Sequence, residues 1–120
     1  MEYRIFGKTG WKVSEIGFGG WQLGGTWGKV DDENSIETLL YAFEKGVNFV
    51  DTAFAYGNGH SEKVIGKALE QWNYGKIYVA TKVTPILNSS KSSSLNSSSS
   101  INGCYPDWHI RKIEEGSLKR

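Results

Sequence analysis

Hydrophobic positions recur along this chain with two different periods. Ile36, Leu39, Leu40 and Phe43 fall at i, i+3, i+4 and i+7, which places them on one face of a helix. Asp31 or Asp32 caps its start, Glu33 lies in the first turn where the helix dipole favours an anion, and Gly46 stops it. A second helical stripe, Val64, Ile65, Ala68 and Leu69, follows Ser61, which reads as an N-cap, and Gly75 reads as its end. Short β-prone runs alternate with these helices. Val47, Phe49 and Val50 close on Asp51, and Ile77-Tyr78-Val79-Ala80 passes into Thr81-Lys82.

Ahead of the first helix, Tyr3, Ile5 and Val13 flank the turn-like run Gly7-Lys8-Thr9-Gly10, a hairpin signal. A further stretch from Val13 to Phe18 runs into Gly19-Gly20-Trp21. Strand, helix, strand, helix, strand, at a repeat of roughly thirty residues, is the rhythm of βαβ units with a parallel sheet and right-handed crossovers. The expected class is therefore α/β. From Asn88 to Asn102 the chain is almost entirely Ser and Asn, a composition with too little apolar surface to offset ordering entropy, so residues 88–102 are expected to be a disordered loop. The last segment, Asp107 to Arg120, is amphipathic, with Ile110, Ile113 and Leu118 on one side.

Length and composition narrow the reading. At 120 residues the chain is one domain, and Lys+Arg 14 against Asp+Glu 13 leaves no charge bias toward nucleic acid or a membrane surface. One cysteine, Cys104, excludes an intramolecular disulfide framework and fits a reducing compartment. The N-terminus carries no apolar leader and no later stretch is suited to spanning a bilayer, so a cytoplasmic location is expected. No Cys, His and carboxylate set has metal-ligand spacing. The runs Gly17-Phe18-Gly19-Gly20 and Gly24-Gly25 form neither a phosphate loop nor a dinucleotide fingerprint. Of the tryptophans, Trp11, Trp72 and Trp108 read as packing residues, whereas Trp21 and Trp27 follow a strand end and are better placed for a ligand.

Ligands of parallel α/β sheets sit beyond the carboxyl ends of the strands. Asp51 closes one strand, Lys82 closes the next, and Tyr56 lies on the loop between strand and helix. Such a trio suits carbonyl reduction, in which the oxygen of the reduced carbonyl needs a proton. A phenol is a poor acid near neutrality, with a model value of ~10. A neighbouring ammonium stabilises the phenolate, and a carboxylate keeps that ammonium charged and in place. On spacing alone, an ordinary strand-end ion pair beside a packing tyrosine accounts for the same three residues.

The surrounding residues favour the chemical reading. The run from Gly46 through Asp51-Thr52-Ala53-Phe54-Ala55-Tyr56-Gly57 to Ser61-Glu62-Lys63-Val64-Ile65-Gly66 resembles the signature of the aldo-keto reductase family. Gly7-Lys8-Thr9-Gly10 through Gly17-Phe18-Gly19-Gly20-Trp21, then Val79-Ala80-Thr81-Lys82-Val83, and finally Ser117-Leu118-Lys119-Arg120 are similar to the same family in the same order. The resemblance implies a (β/α)8 TIM barrel closed below by an N-terminal β-hairpin, of which residues 1–120 would be the N-terminal part, a single domain with the barrel incomplete. It implies an NADP(H)-dependent oxidoreductase that reduces an aldehyde or ketone by hydride transfer. Tyr56 would then be the general acid, with Asp51 and Lys82 tuning it; Gly20, Trp21 and Asp51 would line the nicotinamide, and Trp21 and Tyr56 the small carbonyl substrate.

The chain departs from that family in one catalytic position. A histidine at the end of the fourth barrel strand has no counterpart here; His60 and His109 match other positions and read as solvated loop and helix-surface residues. A whole barrel takes about 250 residues. With three βα units, open strand edges are expected to invite self-association or a complementing chain. A catalytically inactive fragment or interaction subunit is therefore the competing functional reading.

Overall fold

Asp31 begins the first helix by the route its residue type suggests: its side chain accepts the Asn34 backbone N–H at 2.9 Å. In the computed structural model, which describes residues 1–86 and 105–120, that helix, α1, spans Asp32–Glu44. Gly46 ends it at φ 92°, its N–H bonded to the Phe43 carbonyl at 2.9 Å. The second helix, α2, spans His60–Gln71, and a third, α3, spans Asp107–Leu118. The Ser/Asn tract, residues 88–102, and Cys104 lie outside the described residues.

The chain opens with the expected hairpin. Strands β1 (Tyr3–Ile5) and β2 (Lys12–Ser14) pair antiparallel, Arg4 opposite Val13. The stretch from Val13 to Phe18 is not one strand. Ser14 turns its hydroxyl onto the Ile16 carbonyl at 2.7 Å, and pairing resumes only at β3, Phe18–Gly19, in a different sheet. There β3, β4 (Phe49–Asp51) and β5 (Tyr78–Ala80) lie side by side, all parallel, in the order β3-β4-β5.

Alternation along each strand assigns the two faces of this sheet. Val50 is fully buried under the helices with Leu39 and Phe43 of α1 and Val64, Ile65 and Ala68 of α2. Each of the larger of these side chains contributes about 1.5–3 kcal/mol by leaving water. Phe49, Asp51, Tyr78 and Ala80 therefore occupy the opposite face. The hairpin closes the lower end of that face: Phe6 meets Phe49 at 5.5 Å between centroids, and Trp11 stacks on Tyr78 at 4.8 Å. Asn48 fastens it there, accepting from the Ser14 N–H at 2.7 Å and donating to the Lys12 carbonyl at 3.0 Å.

Three sequence-based expectations change. Ser61 does not cap α2; Gly59 does, at φ 87°, and Ser61 is fully buried in the first turn. The helix ends at Gln71 with Trp72 extended behind it, before Gly75, because Trp72 swings back to pack edge-on against Phe43 and to donate its indole N–H to the Gly75 carbonyl. No residue of α3 is buried, and Leu118 is 83% exposed. Trp108 is likewise exposed and meets His109 edge-on. No helix among the described residues is long and apolar enough to cross a membrane.

Candidate functional site

The upper end of the open sheet face carries the charged residues. Asp51 ends β4 opposite Ala80 of β5, and Lys82 stands two residues beyond Ala80. Two residues is one full strand period, so Lys82 returns to the face that carries Asp51. The Lys82 Nζ donates to both Asp51 carboxylate oxygens at 2.7 Å, to the Thr52 carbonyl at 3.0 Å and to the Tyr56 hydroxyl at 3.0 Å. Burial pulls the Lys82 ammonium down, but the hydrogen bonds to Asp51 and Tyr56 and the charge of Asp51 outweigh it, leaving its pKa above the ordinary lysine value. The amine is thus charged throughout the neutral range.

The loop that presents Tyr56 is tight for identifiable reasons. Gly57, Asn58 and Gly59 take φ of 67°, 53° and 87° in succession, a left-handed run that glycine adopts without strain and asparagine tolerates. Gly59 N–H closes the loop onto the Phe54 carbonyl at 2.6 Å, and Ser61 N–H bonds the Tyr56 carbonyl at 3.2 Å. On the other side, a short 3-10 helix, Gln22–Gly24, lies against it backbone to backbone: a Cβ on Gly24 would stand 2.6 Å from the Tyr56 carbonyl carbon. That approach brings the Trp21 ring to 5.0 Å from the Tyr56 ring, tilted by 54°.

The remaining sequence-selected residues divide. Trp21 is 46% exposed beside Tyr56, and Trp27 is 80% exposed on the following loop. Gly20 is buried, its N–H bonded to the Asp51 carbonyl at 2.7 Å, and the space a side chain would need is filled by the Ser61 hydroxyl. Gly19, by contrast, is exposed on the open face with empty space around it. The histidines are not free: His60 pairs with Asp32 at 2.8 Å, and His109 with the Thr84 carbonyl at 2.6 Å. Both residues are half-buried, and the His60 side chain keeps 43% exposure, so what the structure adds is a partner for each ring.

Three polar residues, Thr52, Ser61 and Glu62, are buried in roles that the sequence does not reveal. Ser61 and Thr52 share a buried hydroxyl pair at 2.9 Å, and Ser61 also donates to the Gly20 carbonyl at 2.8 Å. Glu62 is 6% exposed yet charged, because Thr81 and Arg120 both donate to it at 2.7 Å. A glutamate in a first helical turn reads as a partner of the helix dipole; only its position inside an apolar stripe hints at burial.

A phenol whose oxygen accepts from an ammonium directs its own O–H elsewhere. The Tyr56 O–H is therefore directed away from Lys82. The parallel units, with a site at their carboxyl ends and a hairpin beneath, define a portion of a (β/α)8 barrel. Among solved structures, the chain superposes over 99% of its length on 36% of the aldo-keto reductase AKR11C1 of Bacillus halodurans, at a TM-score of 0.71 and 29% identity. It covers 34% of the glycerol dehydrogenase AKR11B4 of Gluconobacter oxydans at 0.69 and 34% identity. The chain belongs to the aldo/keto reductase family, whose model it matches over residues 15–120. It is 46% identical over 86 residues, 68% of its length, to the aldo-keto reductase YhdN of Bacillus subtilis. It is also 44% identical over 70 residues, 58% of its length, to L-galactose dehydrogenase of Arabidopsis thaliana. These matches take in 25% and 22% of the two relatives. The described residues form an open part of the barrel that the solved relatives complete.

Proposed function

We propose that this site is the proton-transfer half of an NADP(H)-dependent carbonyl reductase, with Tyr56 as general acid toward an aldehyde or ketone. The observation that carries the reading is Lys82 Nζ bridging the Asp51 carboxylate and the Tyr56 hydroxyl on one strand-end face. Asp51 keeps the lysine charged and oriented. Lys82 stabilises the phenolate formed as Tyr56 passes its proton to the carbonyl oxygen. The half-exposed Trp21 ring forms the apolar wall beside that proton.

The nicotinamide end of the cofactor suits the residues present. Gly19 leaves open space at the end of β3, Asp51 is half-exposed next to it on β4, and Trp21 offers a ring face. When bound, the nicotinamide supplies the hydride. Membership of a family of oxidoreductases supports the same chemistry.

Titration of the chain with NADPH, followed by cofactor fluorescence, and then addition of a reactive aldehyde tests the proposal. Binding and turnover are expected, with Tyr56→Phe reducing turnover by about 100-fold or more, the range for removal of a general acid, while binding persists. Turnover that survives Tyr56→Phe, or no cofactor binding at millimolar concentration, overturns it. Binding without turnover in the parent chain would favour a non-catalytic member of the family.

A further inference from the structure

A second charged cluster lies behind the Tyr56–Lys82 pair, and it is far more deeply buried. The Glu62 side chain is 5% exposed and its partner Arg120 19%. One carboxylate oxygen accepts from the Thr81 hydroxyl and the other from Arg120 Nε, each at 2.7 Å. Burial pushes the Glu62 carboxyl up, but hydrogen bonds from Thr81, Ser117 and Arg120, with the Arg120 charge, outweigh it and hold it below the usual glutamate value. Glu62 is thus an anion at neutral pH with both oxygens engaged.

Each partner leads to one half of the site. Thr81 immediately precedes Lys82. The Arg120 guanidinium sits 4.9 Å from the Phe54 ring centroid, and its Cδ lies 2.9 Å from where a Gly59 side chain would start. Phe54 and Gly59 are the two residues whose hydrogen bond closes the Tyr56 loop. Arg120 comes this close because Gly66 of α2 has no side chain: a Cβ there would collide with the Arg120 carbonyl.

We propose that Glu62 and Arg120 are positioning residues: through Thr81 on one side and the Phe54 ring on the other, the pair holds the Lys82 strand end and the Tyr56 loop at a fixed separation. The inference rests on reading Tyr56 and Lys82 as the proton-transfer pair, and its test is chosen to be independent of turnover. An ion pair that served only overall stability would loosen α1 and the site together. A positioning pair acts selectively on Lys82 and on residues 54–59.

Two measurements on the intact chain separate these cases: competitive acylation of lysine amines, with Lys45 at the far end of α1 as reference, and amide hydrogen exchange read by mass spectrometry. The hydrogen bonds from Lys82 hold its amine protonated and unreactive. Thr81→Val removes one hydroxyl and keeps the ion pair; it is expected to raise Lys82 acylation about threefold relative to Lys45. Arg120→Gln is expected to do the same and to speed exchange over residues 54–59 about tenfold, with α1 unchanged. Lys82 reactivity that stays at the parent ratio in Thr81→Val overturns the proposal. So does a rise at Lys82 matched by faster exchange throughout α1. If Arg120→Gln fails to fold, Thr81→Val decides alone. A chain that turns over no aldehyde but responds in this way keeps its latch and refutes only the reductase reading.

Discussion

Replacing Ser61 distinguishes two accounts of how α2 begins, and the two differ in sign. Were Ser61 a helix cap, Ser61→Ala would cost about 1 kcal/mol and Ser61→Asp would be neutral or better. The structure instead buries the hydroxyl completely, between Thr52 Oγ1 at 2.9 Å and the Gly20 carbonyl at 2.8 Å. The Gly20 carbonyl keeps a second partner, the Leu23 N–H at 3.2 Å. Thr52, 1% exposed, loses its partner in the pair. The loss is then one net hydrogen bond, about 1 kcal/mol, plus about 1–3 kcal/mol for a stranded buried hydroxyl. Ser61→Asp would place a carboxylate where no water reaches, which costs several kcal/mol. In urea unfolding followed by far-ultraviolet circular dichroism, a slope of about 1–3 kcal/mol per molar turns the alanine loss into a midpoint lower by roughly 1–2 M. Thr52→Val combined with Ser61→Ala should cost less than the two singles added, because both members of the pair are gone. A Ser61→Asp chain that unfolds at the parent midpoint would refute the buried-bridge account.

Two further outcomes follow from charge and from the sheet edge. Glu62 lies below the ordinary glutamate value, so its stabilisation is complete above the unfolded value of about 4.3 and is lost as pH falls through the lower folded value. Glu62→Gln should therefore flatten the acid side of the stability profile, below about pH 4–5, and an unchanged profile would contradict the assignment. On β5, Tyr78 N–H and the Ala80 carbonyl bond toward β4, so the N–H of Val79 faces the other edge, where no described strand pairs. If that edge drives self-association, Val79→Pro should keep the circular dichroism spectrum and lower the sedimentation mass to the monomer, since proline is tolerated only where the N–H is unused; a mass unchanged from an associated parent would exclude this edge.

Local signals in the chain located most of the elements and three residues, Asp51, Tyr56 and Lys82, that the fold brings together. The apolar stripe of α1, its Asp31 cap and the strand ends at Asp51 and near Lys82 are all properties of neighbouring residues, and all appear where periodicity puts them. What was missed depends on contacts between distant segments. Ser61 has the residue type and place of a cap, but Gly59 can take the left-handed capping conformation two residues earlier, which frees Ser61 to reach Thr52 and Gly20. His60 gained Asp32, 28 residues away, and Glu62 gained Arg120, 58 away. Neither partner can be read from spacing. The division of the 13–18 stretch into two sheets was hidden for a similar reason, since the break at Ser14 is made by Asn48.

The cluster of Asp51, Tyr56 and Lys82 depends on register more than on any single contact. Asp51, Thr52 and Tyr56 belong to one strand-to-helix connection, and Lys82 to the end of the adjacent strand, so all four contacts of the ammonium arise between neighbours in the sheet. The pairing of Asp51 with Ala80 is what places Lys82 above the carboxylate. A slip of one residue along β5 would turn Lys82 toward the helix-covered face and carry Val79 onto the open one. The hairpin resists that slip from below, because Trp11 stacks on Tyr78, and Glu62 resists it from above, because it holds Thr81. The contacts of the Asp51–Tyr56–Lys82 cluster are therefore contained within residues 51–82 and their two anchors. That is how a chain spanning about a quarter of its curated relatives can hold this part of the site together.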